Sequence, residues 1–242
     1  MTSLVARQLA IPGRLQATDL LVETGELVAL VGPNGGGKTS LLRALSRIEG
    51  ASGSVSIGGH DLDAAPLTLR RQLLSFLPAS RDVAWPIAAR DVIALGLDRP
   101  NPDRVSELIE LMELGPLADR PVNRLSTGER ARVLTARALA SNPTALLLDE
   151  PLSNLDPYWV LRSLAILETA AQSGQAVLVA LHDLGQLHHF GRALLIADGS
   201  IQIDEAPADL MASERFGETF RIREGTDGAW EIRPPEGRQS SR

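Results

Sequence analysis

A glycine-rich run that ends in a lysine and a threonine is the clearest chemical signal in the sequence. It fits the pattern G-x-x-x-x-G-K-[ST] and lies between an apolar run and a helical pattern, which is the context that the motif requires. Glycines let the backbone curl so that its N–H groups point inward, and the helix adds the positive end of its dipole. The run therefore predicts a triphosphate site, with a purely structural turn as the alternative. Its residues are Gly32, Pro33, Asn34, Gly35, Gly36, Gly37, Lys38, Thr39 and Ser40.

Two side chains of this run have chemistry of their own. Lys38 supplies a mobile cation for the β- and γ-phosphates of a bound triphosphate. The Thr39 hydroxyl is small enough to ligate Mg²⁺. We therefore expect the loop to bind a magnesium-bound triphosphate.

Two acids close an apolar run further along the chain. Residues 145–148 are followed by Asp149 and Glu150, and a buried strand normally excludes charge unless a cation or a partner compensates it. Because ligands bind at the carboxyl ends of such strands, Asp149 is predicted to hold Mg²⁺ directly or through water. Glu150 is predicted to accept a proton from the water that attacks the γ-phosphate. Taken alone, the pair could be a helix cap or a surface pair, but the glycine-rich loop favours the catalytic interpretation.

A predicted helix start at Ser126 allows both a structural and a functional interpretation. Ser126 and Glu129, three residues on, have the spacing of a capping box. The functional interpretation is that Gly128 leaves the helix start bare, so that the dipole and the Ser126 hydroxyl can face a phosphate supplied by another subunit. The physics of the sequence leaves both interpretations open.

A single histidine follows another apolar run. His182 comes directly after residues 176–181 and before Asp183, which predicts an imidazole at the sheet edge on the same side as Glu150. A lone histidine in such a place is more often a hydrogen-bonded structural residue, so both roles remain open.

Strands and helices alternate in the segments that must position these groups. Strands are predicted over 26–31, 145–148, 176–181 and 193–197, and helices over 38–48, 103–114, 127–140 and 157–172. This alternation predicts an α/β protein with a parallel sheet covered on both faces. Asp198-Gly199 predicts a tight hairpin. Residues 66–121 are interpreted as an inserted helical segment, and residues 234–242 as a flexible tail.

The composition narrows the class of protein. The 242 residues are 44% hydrophobic and 22% charged, which suits one α/β domain, predicted over 1–233. The chain has no cysteine, so disulfides and thiolate metal sites are excluded. The net charge of -6 offers phosphate backbones no general attraction, and no nucleic-acid partner is expected. No run approaches the ~20 apolar residues that cross a bilayer, so we expect a cytoplasmic chain that meets a membrane only through a partner.

The order of the motifs resembles that of the ATP-binding cassette (ABC) family, from about Leu4 to Met211. GPNGGGKT resembles its Walker A loop, LSTGE its signature motif, LLLDEP its Walker B strand, SNLD its D-loop and LHD its switch histidine. The resemblance implies a P-loop NTPase core with a mainly parallel central sheet and an antiparallel β subdomain. It also implies a helical subdomain inserted at about residues 66–140.

The resemblance further implies an ATPase that works as a homodimer around two ATP, each with Mg²⁺. Each ATP would lie between the Walker A loop of one subunit and the signature motif of the other, with His182 contacting the γ-phosphate and orienting the water of Glu150. Asp156 would cross to the opposite site. The implied catalytic residues are Glu150, His182 and Lys38, the metal ligands Thr39 and Asp149, the signature residues in trans Leu125, Ser126, Thr127, Gly128 and Glu129, and the D-loop residues Asn154, Leu155 and Asp156.

Implied partners are integral membrane permease subunits and, through them, a periplasmic or lipoprotein substrate-binding protein. The chain would then be peripheral on the cytoplasmic face of the cell membrane. The stretch LLSFLPASRDVAWPIAARDVIALG is similar to cassettes of bacterial importers for iron-siderophore, haem and cobalamin-type cargo. An exporter ATPase or an ABC ATPase without a transport role is the alternative.

The segment after the predicted strand at Phe76 departs from the family pattern. Ala79 stands where the family usually has a glutamine that links Mg²⁺ to the membrane partner. An alanine cannot ligate, so a water or Ser80 is expected to complete the coordination shell. The surrounding residues 79–98 would hold a coupling helix of the permease.

Two further positions differ from the pattern. Phe76 is the first Phe, Trp or Tyr of the chain, so no aromatic ring precedes the glycine-rich loop to stack on adenine. Arg14, whose planar guanidinium stacks on rings, is the candidate replacement, with Ile11 and Leu15 as apolar alternatives. In the signature motif, Thr127 stands where glycine is commoner.

Overall fold

Strands and helices alternate along most of the chain. The structure, a computed structural model, describes residues 2–81, 86–224 and 230–232. The strands are β1 (Thr2–Ile11), β2 (Leu15–Glu23), β3 (Leu27–Val31), β4 (Ser52–Ile57), β5 (His60–Asp61), β6 (Leu74–Leu77), β7 (Ala145–Asp149), β8 (Ala176–Ala180), β9 (Arg192–Ala197), β10 (Ser200–Glu205), β11 (Ile222–Glu224) and β12 (Trp230–Ile232). The α-helices are α1 (Lys38–Leu45), α2 (Leu67–Leu73), α3 (Ala89–Ala94), α4 (Pro102–Leu111), α5 (Thr127–Leu139), α6 (Pro157–Gln172), α7 (Pro207–Ala212) and α8 (Glu214–Phe220).

A six-stranded sheet in the order β10-β9-β3-β8-β7-β6 forms the centre of the fold. Strands β9, β3, β8, β7 and β6 are parallel, and β10 pairs antiparallel with β9. Every residue of β7 and β8 is buried, as expected where both faces of a parallel sheet are covered. The predicted parallel α/β sheet is confirmed.

The two faces of the central sheet contact different apolar clusters. Ala29 and Val31 of β3 belong to a cluster that includes residues of α3 to α6. Val28 and Leu30 belong to a second cluster with α1 and the strands of the N-terminal sheet. Because side chains alternate along a strand, β3 contributes to both clusters, and the loop that follows it is anchored on both sides.

The second sheet is antiparallel, in the order β2-β1-β4-β5, which confirms the antiparallel subdomain implied by the family resemblance. Its strands β1 and β2 were not among the predicted strands. The register of β1 shifts between Ala6 and Leu9, where Gln8 has a φ of 49°. This bulge breaks the alternation of apolar and polar residues that a sequence pattern depends on.

The predicted α1 and α4 run past the observed helix ends. The first was predicted over 38–48 and ends at Leu45, and the second was predicted over 103–114 and covers Pro102–Leu111. Arg47 and Glu113, just beyond these ends, have φ values of 56° and 50°. Such left-handed residues end helices, but glycine is the usual signal, and neither position has one. The prediction for α6 over 157–172 is confirmed, and α5 ends one residue before its predicted limit.

The remaining predictions concern the connections between these elements and the limits of the domain. Asp198 and Gly199 have φ values of 51° and 73°, as a two-residue hairpin between β9 and β10 requires. Strand β6 lies within the predicted helical segment 66–140 but pairs with β7 at the edge of the central sheet. The domain limits 1–233 stay a prediction, and residues 234–242 lie outside the described residues. In the described part of the chain, no helix is long and apolar enough to cross a bilayer.

Candidate active site

The glycine-rich loop joins β3 to α1 and lies tightly against β9. A Cβ atom added at Gly32 would lie 2.0 Å from the carbonyl oxygen of Ile196, and one at Gly36 would lie 2.9 Å from the same atom. Gly37 has a φ of 114°, which side chains disfavour. Among the described residues no side chain caps α1, so the first N–H groups of the helix, at Lys38 to Ser40, are available to an anion.

Lys38 lies inside the loop with its side chain buried. Its Nζ donates to the carbonyl oxygens of Gly32, at 2.7 Å, and Pro33, at 3.3 Å. Burial lowers the pKa of the Lys38 ammonium, and the nearby carboxylates of Glu150 and Asp149 oppose that shift. The cation is therefore held beside the concave face of the loop, where phosphate oxygens would compete with the carbonyls for its protons.

Asp149 and Thr39 are in direct contact across the two motifs. The Thr39 Oγ1 donates to Asp149 Oδ2 at 2.8 Å, although the residues are far apart in sequence. Asp149 is only 1% exposed, and its Oδ1 is buried without a hydrogen-bond partner among the described residues. Burial raises the pKa of this carboxyl, and the hydrogen bond from Thr39 opposes the rise.

These two residues fit a magnesium ion. A buried carboxylate oxygen without a donor is costly unless a cation pairs with it, and Mg²⁺ prefers one or two protein oxygens together with substrate phosphates and water. Among the described residues no cluster of three or more His, Cys, Asp or Glu side chains forms a metal site. Asp149 and Thr39 as ligands of Mg²⁺ therefore stay a prediction.

Glu150 follows β7 in a strained turn beside β8. Its φ is 52°, and its N–H donates to the carbonyl of Ala180 at 3.1 Å. The Glu150 carbonyl accepts from the backbone N–H of Ser153 at 3.2 Å and from its Oγ at 3.0 Å. A non-glycine residue in this conformation persists only where its surroundings enforce it. The hydrogen bonds around Glu150 therefore hold the turn in this conformation.

The structure brings Glu150 and His182 to one cavity. It has a volume of about 650 Å³ and is also lined by Asn154, Leu155 and Asp183. The His182 side chain is exposed, and both its catalytic and its structural interpretation stay predictions. None of residues 125–129 lines this cavity, although Gly128 lies close to Asn154 and Leu155, which do.

The predicted capping box at the start of α5 is present. The Glu129 N–H donates to Ser126 Oγ at 3.3 Å, and the Ser126 N–H donates to Glu129 Oε2 at 2.8 Å. The hydrogen bond from the Ser126 backbone lowers the pKa of the Glu129 carboxyl. Ser126 and Thr127 are exposed, whereas Leu125 is buried in the core. Ser126 therefore caps α5 and is still exposed to solvent. Its predicted contact with a nucleotide bound to a second subunit stays a prediction.

The D-loop packs against the start of α5 within the same chain. A Cβ atom at Gly128 would lie 3.2 Å from the carbonyl oxygen of Asn154, and Asn154 has a φ of 63°. Asp156 accepts through Oδ1 from the Trp159 N–H at 3.0 Å and so caps α6. This local role accounts for the Asp156 side chain, and its predicted crossing to a second subunit stays a prediction.

The residues predicted to contact adenine differ in their solvent exposure. Ile11 and Leu15 are buried at 8% and 4% exposure, and their side chains pack in the core, which favours Arg14 over them. Arg14 is exposed and pairs with Glu49 at 3.3 Å. Its turn abuts Gly199, whose N–H donates to the Gly36 carbonyl at 3.0 Å. Arg14 is therefore the exposed candidate beside the glycine-rich loop, and its contact with adenine stays a prediction.

One residue of the site was missed by the sequence analysis. Arg81 lies just after the exposed Ala79 and Ser80 and donates to the turn that carries Glu150. The contact joins residues about 70 positions apart and has no motif. The only sequence signal was an arginine a few residues after the predicted strand at Phe76.

Comparison with known proteins gives consistent results. The family described as ABC transporter matches residues 15–153. The hemin import ATP-binding protein HmuV of Streptomyces coelicolor is 37% identical over 219 residues, which cover 85% of this chain and 77% of the relative. The lipopolysaccharide export system ATP-binding protein LptB of Escherichia coli K12 is 32% identical, over 92% of this chain and 100% of the relative.

A solved structure extends the likeness to the fold. The dimeric post-hydrolysis structure of the ATP-binding cassette MJ0796, bound to ADP and Pi, superposes with a TM-score of 0.75 at 25% identity. The match covers 86% of this chain and 99% of that one. The likeness in fold therefore extends over most of this chain.

Proposed function

This chain belongs to the ABC transporter family as an ATPase subunit, and from that membership we propose that two copies of it sandwich two ATP and drive a membrane permease. The observation that carries the proposal is the contact between Thr39 and Asp149 beside the buried Lys38. It joins the phosphate loop to the strand that carries Glu150. A loop for phosphate, an unpartnered carboxylate oxygen for a cation and a second acid for a water are the parts that ATP hydrolysis requires.

In this proposal the backbone N–H groups at the start of α1, from Lys38 to Ser40, and the Lys38 ammonium bind the β- and γ-phosphates. Thr39 and Asp149 would hold Mg²⁺, which when bound neutralises charge on the phosphate oxygens. Glu150 accepts a proton from the attacking water, and the bond between the γ-phosphorus and the bridging oxygen breaks to leave ADP and phosphate. His182 donates to a γ-phosphate oxygen and holds the water in line.

The second half of each site would come from the other copy. The exposed Ser126 hydroxyl, the bare backbone at Gly128 and the N-terminus of α5 form a surface suited to a phosphate. Residues 125–129 do not themselves line the cavity of Glu150 and His182 in the same chain. A head-to-tail arrangement of two chains supplies both halves to one nucleotide.

The proposed cargo is an iron-siderophore, haem or cobalamin-like complex, imported by a permease on whose cytoplasmic face this chain lies. The hemin import relative, at 37% identity, is more similar than the export relative, at 32%. Export is the second candidate, because the match to the export relative LptB covers the whole length of that protein. Cells that lack this chain are expected to lose uptake of one of these complexes, whereas normal uptake with a defect in the cell envelope would support export.

The catalytic assignment is tested by Glu150→Gln. Because a general base contributes about 10²–10⁴-fold to such a reaction, steady-state ATP turnover of the purified variant is expected to fall by that factor. The matched control is Glu168→Gln, which makes the same change at an exposed position of α6 and is expected to leave turnover unchanged. Equal turnover in the wild type and Glu150→Gln would remove Glu150 from the mechanism.

A further inference from the structure

Arg81 connects the segment after β6 to the turn that carries Glu150. Its Nη1 donates to the Ser153 carbonyl at 2.7 Å, and its Nη2 donates to Ser153 Oγ at 3.1 Å and to the Glu150 carbonyl. A guanidinium presents its donors in a rigid planar fork. One side chain therefore holds both ends of the turn from Glu150 to Ser153.

The turn needs such support because its backbone is strained. Glu150 and Asn154 have φ values of 52° and 63°, and a non-glycine residue persists in this left-handed conformation only where its surroundings enforce it. The Glu150 carbonyl accepts from Ser153 N, Ser153 Oγ and Arg81. Donors that converge on this oxygen fix the peptide plane next to the Glu150 side chain, and that plane sets the direction in which the carboxylate leaves the backbone.

The position of Arg81 within its segment also matters. Ala79 and Ser80 are exposed, whereas Arg81 is half-buried and reaches β7's end. Burial lowers the pKa of the Arg81 guanidinium, and the charge of Glu150 opposes that shift. Its Nε is buried without a hydrogen-bond partner among the described residues, so the residue bears a desolvation cost at this place.

On the basis of the proposed ATPase mechanism, we propose that Arg81 is a positioning residue for hydrolysis. Its guanidinium holds the Glu150–Ser153 turn and thereby orients the Glu150 carboxylate toward the attacking water. The phosphate ligands of residues 32–40 are on a different loop and do not depend on this clamp. Loss of the clamp is therefore expected to slow the chemical step without weakening ATP binding.

The test measures kcat and KM for ATP in the full chain with Arg81→Ala and Arg81→Lys. A displacement of about 1 Å in a catalytic group costs on the order of 10²-fold in rate, so kcat of Arg81→Ala should fall roughly 10- to 100-fold while KM stays unchanged. Arg81→Lys keeps the charge but not the fork and should have an intermediate kcat. Guanidinium chloride at millimolar concentration should raise the kcat of Arg81→Ala, and sodium chloride at equal ionic strength should not.

The control is Arg70→Ala, because Arg70 also donates to two backbone carbonyls, of Ala65 at 3.0 Å and Asp63 at 2.8 Å, away from the site. It is expected to keep the wild-type kcat. Unchanged kcat in Arg81→Ala, or a loss that neither guanidinium nor lysine lessens, would overturn the proposal. If Arg81→Ala does not fold, a wild-type kcat in Arg81→Lys overturns it instead.

Glu150→Gln is assayed in parallel. If that variant retains turnover, the general-base assignment itself fails. If it is inactive while Arg81→Ala is fully active, only the positioning role of Arg81 fails.

Discussion

At the scale of single residues, Asp149 shows most clearly how this chain depends on its ligand. Thr39 donates to one carboxylate oxygen, and the other is buried without a partner among the described residues. Burial raises the pKa of this carboxyl, so the fold on its own destabilises the charged form. The charged form becomes favourable when a cation occupies the site.

We expect Asp149→Asn to raise the melting temperature of the nucleotide-free protein. A carboxyl whose pKa is raised by folding stabilises the fold below its unfolded-state pKa, and that contribution is lost as pH rises through the folded-state pKa. The gain of the variant should therefore grow from acidic to neutral pH. A relief of about 1 kcal/mol corresponds to about 2–4 °C for a domain of this size.

The same variant should lose the stabilisation that magnesium and ATP give to the wild type. Thermal unfolding with and without magnesium nucleotide measures both effects in one series. The exposed Asp98 provides the control, since Asp98→Asn should change neither value. A nucleotide-free Asp149→Asn protein that melts well below the wild type would contradict this account of the site.

Local motifs made the residues of the phosphate loop and the acids after β7 predictable from sequence. The glycines are required because β9 leaves no room for a Cβ at Gly32, and this close approach is what the motif encodes. Arg81 and the positive φ of Glu150 were not predictable, because they arise from contacts between segments that are distant in the chain. No local pattern of residue types predicts these contacts or this backbone conformation.

At the scale of elements, the start of α5 combines a capping role with the proposed contact in trans. Ser126→Ala removes both, and loss of a cap costs about 0.5–2 kcal/mol of stability. Loss of a hydrogen bond to a charged phosphate should also reduce ATP turnover by about tenfold or more. Turnover and thermal stability measured on the same preparation separate the two effects.

The control for this variant is Ser213→Ala at the start of α8. Ser213 Oγ accepts from the Phe216 N–H at 3.2 Å, so this change removes a cap of the same kind at a site without a proposed ligand. It is expected to lower stability similarly and to leave turnover unchanged. Equal turnover in the two variants would mean that Ser126 is a cap and nothing more.

Buried strands and long helices were predicted well because their burial leaves a regular apolar pattern in the sequence. The strands are buried on both faces and the helices on one. Strands β7 and β8 and helix α6 are examples. The bulged β1 and the ends of α1 and α4 were not, because Gln8, Arg47 and Glu113 adopt left-handed conformations that are usually signalled by glycine. Tertiary contacts override local preference at these points.

At the scale of the whole molecule, the order of motifs predicted the fold through the family resemblance. The parallel sheet and the antiparallel sheet confirm that prediction. The cargo could not be derived in the same way, because the residues with recognisable chemistry in this chain concern phosphate, a cation and a water. A transported complex would be recognised by a permease or a binding protein instead.

The central claim is that two copies of the chain close around magnesium ATP. The most direct measurement is sedimentation velocity of Glu150→Gln, in which slow hydrolysis preserves the bound nucleotide. With saturating magnesium ATP the mass should be twice the 25.9 kDa of one chain, and without nucleotide it should be that of one chain. A second change, Lys38→Ala, should prevent the doubling. Glu150→Gln that binds magnesium ATP and still sediments as a single chain, with its permease present or absent, would contradict the account.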